Sequence, residues 1–256
     1  MEKNISKDKI EKLTFLFNQG KLLELIKEAK QLILKYPDSI FLWNILGASN
    51  ARLKKLNESE KCFYTSIKLN PNFIEGHYNL GKTQKELGKL PEALLSYKRA
   101  IEIKPDYAEA HNNLGSIQKK LGNLPEALLS YKRATEIKPD YAEAYNNLGN
   151  IQKELGKLPE AILSYKKAIE IKPDYAEAYN NLGNIQKQLG KVPEALLSYK
   201  RAIEIKPDFA EFYNEIGGTQ IELGKISEGV SSYRRAIEIK PDFAEAYNNY
   251  TDSVKI

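Results

Sequence analysis

Apolar residues recur along this chain with a helical period, and the same arrangement returns every 34 residues. We number each repeat from position 1 at Ala142. From there, apolar side chains at positions 3, 4, 7, 10 and 14 occupy one face of a helix. Gly156 then suits the left-handed residue that ends a helix, and Pro159 suits the first turn of the next. A second apolar stripe runs from Leu158 to Ile169, so each repeat is predicted to form two antiparallel helices.

The period accounts for the chain after five leading residues, with position 1 at residues 6, 40, 74, 108, 142, 176, 210 and 244. A pair of helices with one apolar face cannot bury that face alone, whereas a stack of such pairs can. We therefore predict an all-α fold of stacked pairs. Its parts are a degenerate N-terminal capping repeat (1–39), a divergent repeat (40–73), five regular repeats (74–243) and a partial repeat or capping helix (244–256).

Small residues and caps define the expected packing within a repeat. Gly149 and Ala161, at positions 8 and 20, are predicted to lie where the two helices cross most closely, with Tyr165 filling the remaining space. Asp140 and Glu143 have the spacing of a capping box, in which each side chain bonds to the backbone N–H at the other position.

Several residues of the repeat resemble the tetratricopeptide repeat, namely Tyr145, Leu148-Gly149, Ala161, Tyr165 and Pro173. The resemblance implies a right-handed α-solenoid, a superhelix in which the first helices line a concave groove. One departure is glutamine at position 11, where the family has tyrosine, which we expect to make the inner wall more polar. The asparagine-rich repeats look most like the repeat arms of O-linked N-acetylglucosamine transferases and of bacterial proteins that join such arrays to transferase domains.

Asparagine dominates positions 5, 6 and 9, which face the groove in arrays of this family. An amide both donates and accepts hydrogen bonds, so it can pair with the backbone of an extended peptide whatever its side chains. Each bond is worth only about 0.5–1.5 kcal/mol, so several must act together. The candidate peptide-binding residues are Asn79, Asn112, Asn113, Asn146, Asn147, Asn150, Asn180, Asn181, Asn184, Asn214 and Asn249.

The resemblance singles out position 6, whose asparagines hold bound polypeptide in the transferase arms. In this chain those residues are Asn79, Asn113, Asn147, Asn181 and Asn249, and the row is interrupted by Ile45 and Glu215. Two alternatives stay open, since one asparagine of each pair could bridge neighbouring helices, or duplication could have copied a neutral residue. The glutamates at position 2 are explained as partners in the capping box, and the lysines at position 12 as solvated residues of the helix surface.

No residue pattern indicates catalysis or a bound cofactor or metal. His77 and His111 occupy the aromatic packing position 4, and Cys62 has no histidine nearby in sequence, so we interpret all three as structural. No glycine-rich phosphate motif is present. A carboxylate clamp, which grips a peptide C-terminus with cations at positions 2, 5 and 6, is excluded for the central repeats, where glutamate and asparagine stand there.

The amino-acid composition excludes several other classes of protein. A chain with 42% hydrophobic residues, 29% charged residues and a net charge of +5 is neither collagen-like nor disordered. No apolar run is long enough to span a membrane, the first residues lack a secretory signal, and a single cysteine excludes internal disulfides, so we expect a cytoplasmic location. The pI is near 8.9, but the basic clusters lie three or four residues before glutamates, so no nucleic acid is expected.

These observations predict a non-enzymatic scaffold that binds an extended peptide or protein segment in the groove of the first helices. The alternative is the substrate-recruiting, non-catalytic arm of a larger glycosyl- or sulfotransferase whose catalytic domain is absent from this chain. A third hypothesis is a homo-oligomer formed through the terminal repeats. No membrane partner is expected.

Overall fold

A computed structural model describes residues 5–255, and within them the chain is all α-helical, with no strand. The first four residues of the predicted N-terminal repeat and the last residue of the partial repeat lie outside the described range. The chain forms two compact units, 1–137 and 138–256. In the described part of the first unit the helices are α1 (Lys7–Asn18), α2 (Leu22–Ile33), α3 (Ile40–Arg52), α4 (Leu56–Leu69), α5 (Ile74–Glu86), α6 (Leu90–Ile103), α7 (Ala108–Lys120) and α8 (Leu124–Ile137).

The second unit contains seven helices between residues 138 and 255. They are α9 (Ala142–Glu154), α10 (Leu158–Ile171), α11 (Ala176–Gln188), α12 (Val192–Ile205), α13 (Ala210–Glu222), α14 (Ile226–Ile239) and α15 (Ala244–Ser253). The helix pairs therefore begin and end where the 34-residue pattern predicts. The first helix of six pairs stops at a left-handed glycine, as at Gly156 with φ 72°, because a glycine adopts this conformation without a side-chain clash, and in the pair of α3 and α4 Lys54 takes that place.

Within each unit, every second helix packs against the first helix of the following pair. Successive first helices also touch one another directly, as α3 touches α5 and α11 touches α13. The first helices thus form one layer and the second helices another, and each unit is a stretch of α-solenoid. We call the outer surface of the first layer the first-helix face and that of the second layer the second-helix face.

The tyrosine at position 24 holds both helices of a pair and the next pair together. Tyr165 is fully buried, and a Cβ added to Gly149 would lie only 2.6 Å from its ring. The same ring packs against Leu182 and Ile185 of the following first helix. In the first unit Tyr97 occupies the same place beside Gly81. The predicted close approach at position 8, filled by the tyrosine, is confirmed.

The predicted capping box does not form. The N-cap of α9 is Tyr141, one residue after Asp140, and it makes no side-chain cap hydrogen bond. The reason is the turn before the helix, which closes through the backbone when Tyr141 N–H donates to the Lys138 carbonyl at 3.1 Å. The position 2 glutamates have other partners, and Glu177 and Glu211 accept hydrogen bonds from Lys206 and Lys240.

The glutamines at position 11 do not make the inner wall more polar, and that expectation was wrong. Each one turns toward the second helix of its own pair and meets a serine at position 23 there. The Ser Oγ lies 2.6–2.7 Å from the glutamine amide in all five regular pairs, which are Gln84–Ser96, Gln118–Ser130, Gln152–Ser164, Gln186–Ser198 and Gln220–Ser232. The glutamine therefore links the two helices of a pair through a largely buried bond.

Candidate functional site

The asparagines at positions 5 and 6 differ in exposure because neighbouring residues of a helix point about 100° apart. Position 5 turns toward the adjacent first helix, so Asn112, Asn146 and Asn214 are only 2–6% exposed. Position 6 lies on the first-helix face and is half-buried at each asparagine of the row, which are Asn79, Asn113, Asn147, Asn181 and Asn249. The two rows therefore have different surroundings, which their sequence did not reveal.

A repeated hydrogen bond joins the two rows across neighbouring pairs. In the second unit, Asn181 Nδ2 donates to Asn146 Oδ1 and Asn249 Nδ2 donates to Asn214 Oδ1, both at 3.0 Å. In the first unit the corresponding bonds are Asn113 Nδ2 to Tyr78 OH at 3.0 Å and Asn79 Nδ2 to Asn44 Oδ1 at 3.4 Å. At position 5, Asn44, Asn146 and Asn214 thus bridge neighbouring first helices through their side chains.

The asparagines at position 9 also have a structural partner. Asn150 Oδ1 accepts a hydrogen bond from Tyr165 OH at 2.8 Å, and Asn184 Oδ1 accepts one from Tyr199 OH at 2.7 Å. In the first unit Lys82 stands at this position, and the buried hydroxyl of Tyr97 has no partner within residues 5–255. The sequence-based prediction missed this pairing, although its signal is present as an asparagine fifteen residues before a buried tyrosine.

Glu215 interrupts the position 6 row in the second unit and changes its electrostatics. Asn181 and Asn249 at position 6 donate an N–H to the asparagine at position 5 of the preceding pair, whereas a carboxylate has no proton to donate. Asn180 is the position 5 residue that precedes Glu215, and its Oδ1 atom is buried without a hydrogen-bond partner among the described residues. Burial raises the pKa of Glu215, and nearby Glu245 adds to this effect while Lys187 and Lys153 oppose it. The open amide row therefore changes to a charged cluster at this point.

The first-helix face of the first unit contains a cavity of about 600 Å³ between α1, α3 and α5. Its apolar lining includes Phe17, Ala48 and Phe63, and its polar lining includes Asn79 of the position 6 row. Arg52 also lines the cavity. Its Cζ atom lies 4.8 Å from the centre of the Phe17 ring, and its Nη1 atom donates to the Phe17 carbonyl at 2.9 Å. The cavity can accept an apolar side chain next to an anionic group.

The two histidines contact a turn of the backbone. The Nε2 atom of His77 lies 2.9 Å from the Pro71 carbonyl, and His111 Nε2 has the same distance to the Pro105 carbonyl. Trp43, at the same repeat position, donates from Nε1 to the Pro37 carbonyl at 2.7 Å. Burial lowers the pKa of His111, which favours its neutral form.

Cys62 is buried on α4. Burial raises the pKa of the Cys62 thiol to about 11, so very little thiolate is present at neutral pH. Between residues 5 and 255, no group of three His, Cys, Asp or Glu side chains is placed to hold a metal ion. No helix of that range is both long and apolar enough to cross a bilayer.

Comparisons with known proteins find the same repeat throughout. A family model described as "TPR repeat" matches residues 84–122, 115–156 and 149–190. Three models described as "Tetratricopeptide repeat" match residues 176–209, residues 62–94, and residues 42–73 with 210–243. Together these matches extend over residues 42–243.

One curated relative and two solved structures illustrate the likeness. A peroxisomal targeting signal receptor of Candida albicans is 40% identical over 45 residues, which are 18% of this chain and 8% of that protein. The APC/C hetero-tetramer Cut9–Hcn1 matches with a TM-score of 0.75 at 16% identity, covering 94% of this chain and 48% of that one. YrrB, described as a TPR protein with an unusual peptide-binding site, matches with a TM-score of 0.61 at 21% identity, covering 75% of this chain and 99% of that one.

The two structural matches are below 25% identity and therefore show the fold alone. The chain corresponds to a small part of the receptor and to about half of the Cut9–Hcn1 chain. The family models match only repeats of one kind, and this kind forms scaffolds for interactions between proteins. The chain therefore belongs to the tetratricopeptide repeat family.

Proposed function

We propose that this protein binds an extended segment of another protein along its first-helix face, and that the position 6 asparagines pair with the backbone of that segment. The proposal rests on the hydrogen bonds that hold these amides. In Asn181 and Asn249, one N–H is used to reach the preceding pair. An amide has a second N–H and a carbonyl oxygen, so each residue keeps groups for a ligand.

The bond to the preceding pair also fixes the direction in which each amide points. Binding normally costs about 0.5–1.5 kcal/mol for each flexible side chain that must be immobilised. An amide that is already held avoids much of this cost, and several weak bonds can then add to a useful affinity. Half-burial of position 6 also lowers competition from water, while leaving the residue accessible from the first-helix face.

The cavity of the first unit supplies a place for one side chain of the bound segment. Asn79 belongs to both the cavity lining and the position 6 row, so a backbone held by the row passes beside the cavity. Its aromatic and alanine lining favours an apolar side chain, and Arg52 favours a neighbouring acidic residue. Support also comes from YrrB, which is described as having a peptide-binding site, and from the resemblance to transferase repeat arms.

The test is selection of binders from a display library of random linear peptides with the full chain, followed by affinity measurement of the selected peptides. Two variants remove position 6 amides within single units, Asn79→Ala with Asn113→Ala and Asn147→Ala with Asn181→Ala. The matched control is Asn57→Ala with Asn123→Ala, because both asparagines are exposed and lie away from the row. Urea unfolding of every variant separates lost binding from lost stability.

We expect each position 6 variant to weaken binding at least tenfold while the control binds as the wild type does. This loss corresponds to about 1.4 kcal/mol, or one to three backbone hydrogen bonds. If no peptide is selected, or if both position 6 variants keep the affinity of the wild type, the proposal is wrong. The proposal is also wrong if binding falls only as far as the folded fraction of each variant falls, because the row then has a structural role alone.

A further inference from the structure

Four leucines lie exposed at position 22, one on each of four successive second helices. Leu95 and Leu129 lie on α6 and α8 of the first unit, and Leu163 and Leu197 lie on α10 and α12 of the second. Their exposed fractions are 65–67%, whereas the neighbouring tyrosines at position 24 are almost completely buried. Each unit therefore presents apolar side chains on its second-helix face, whereas the proposed peptide site lies on the first-helix face.

The fold does not require leucine at this position. The equivalent residues are Lys27 on α2, Lys61 on α4 and Ser231 on α14, and each of these helices also packs against the first helix that follows it. Isolated exposed leucines are ordinary, but a leucine that recurs at one position of successive second helices is a feature that packing within the unit does not explain. The leucines thus distinguish four helices from the others of the stack.

Charges flank each leucine in a fixed order along the helix. On α10, Glu160 precedes Leu163 by three residues and Lys166 follows it by three, so the charges lie about 4.5 Å to either side along the helix axis. Lys167 pairs with Glu170 at 2.8 Å, whereas Glu160 and Lys166 make no ion pair within the described residues. The same order occurs on the other helices of the row, as Glu92–Leu95–Lys98, Glu126–Leu129–Lys132 and Glu194–Leu197–Lys200.

We propose that the leucines of each unit are a contact surface for the same unit of a second copy of this chain. Within one unit, a two-fold axis that is parallel to the stacking direction of its helix pairs places leucine against leucine and reverses the helix direction in the partner. The glutamate before each leucine then faces the basic residues after the partner's leucine, so the order acid, leucine, base complements itself. A two-fold axis along the helices would instead bring glutamate to glutamate, which excludes that arrangement.

The test is the mass of the full chain in solution, measured by sedimentation over a concentration series at low and high salt. The wild type is expected to approach twice its monomer mass of 29.1 kDa, more readily at low salt because charge pairs are screened by ions. The row is removed by serine substitutions copied from Ser231, namely Leu95→Ser, Leu129→Ser, Leu163→Ser and Leu197→Ser. We expect this variant to be monomeric with an unchanged helical circular dichroism spectrum, because these side chains are mostly exposed.

A charge exchange tests the geometry of the contact. Glu160→Lys with Glu194→Lys is expected to weaken association at least tenfold, and adding Lys166→Glu with Lys200→Glu is expected to restore it, since the order is then reversed but again self-complementary. A wild type that stays monomeric throughout, or association that survives the serine substitutions, overturns the proposal. Charge variants that associate like the wild type also overturn it, because they show that the paired order is not used.

Discussion

Lys54 occupies the left-handed region of backbone conformation, with φ 58°, at a point where six other helix pairs have glycine. A non-glycine residue pays about 1–2 kcal/mol for this conformation, because its Cβ approaches the following carbonyl oxygen. Lys54 forms an exposed ion pair with Glu86 at 2.8 Å, and such pairs contribute little to stability. At the scale of single residues, this is where the divergent repeat departs most clearly from the regular ones.

We therefore expect Lys54→Gly to raise the free energy of unfolding by about 0.5–1 kcal/mol, after the greater freedom of glycine in the unfolded chain is subtracted. Urea denaturation followed by circular dichroism measures this change. The control is Lys55→Gly, where φ is an ordinary −84° and glycine should destabilise. A Lys54→Gly variant less stable than the wild type would contradict the interpretation.

At the scale of helices, the pairing of glutamine and serine joins the two members of each regular pair. Gln152 and Ser164 are both buried, and their side chains lie 2.6 Å apart. A buried polar group left without its partner costs about 1–3 kcal/mol. Because this contact recurs at every regular pair, it sets how the two helices align along their lengths, in addition to the apolar packing of Tyr165 on Gly149.

Ser164→Ala is expected to lower the free energy of unfolding by about 1–3 kcal/mol, since it removes the hydroxyl that pairs with the buried amide of Gln152. The double variant Ser164→Ala with Gln152→Leu should recover part of the loss, because it removes both polar groups. Ser231→Ala is the control, as that serine is exposed and outside this contact. Equal effects of Ser164→Ala and Ser231→Ala in urea denaturation would refute the role of the buried pair.

At the scale of the molecule, each helix pair is stabilised by its immediate neighbours in the stack. In the second unit, α15 places Ala246 against Ala210 and Ala236 of the preceding pair, and Asn249 bonds to Asn214. These contacts reach α13 and α14 but not the earlier helices of the unit. Stability should therefore change locally when one member of the stack is removed.

Deleting residues 244–256 is expected to reduce the hydrogen-exchange protection of α13 and α14 at least tenfold and to leave α9 and α10 nearly unchanged. Exchange measured by mass spectrometry of the peptides from each helix provides the comparison, with the full chain as control. An equal loss of protection from α9 to α14 would mean that the second unit unfolds as one cooperative body, contrary to the expectation.

The sequence by itself determined the period, the helices and the family, because these depend on local patterns that are repeated many times. Apolar spacing placed the helices, and the glycine after six of the first helices marked where they end. The close contact of Gly149 with Tyr165 was also predictable, since only a residue without a side chain leaves space for the ring.

Only the tertiary structure decided what each polar residue does, because that depends on which neighbour its side chain meets. Asn146 and Asn147 are adjacent in sequence and identical in chemistry, yet the first is buried and the second half-exposed. Gln152 was expected on the inner wall but lies between two helices, and Asp140 was expected to cap a helix whose N-cap is Tyr141. The direction of a side chain relative to the neighbouring helix is set by packing between repeats, and a pattern within one repeat does not contain it.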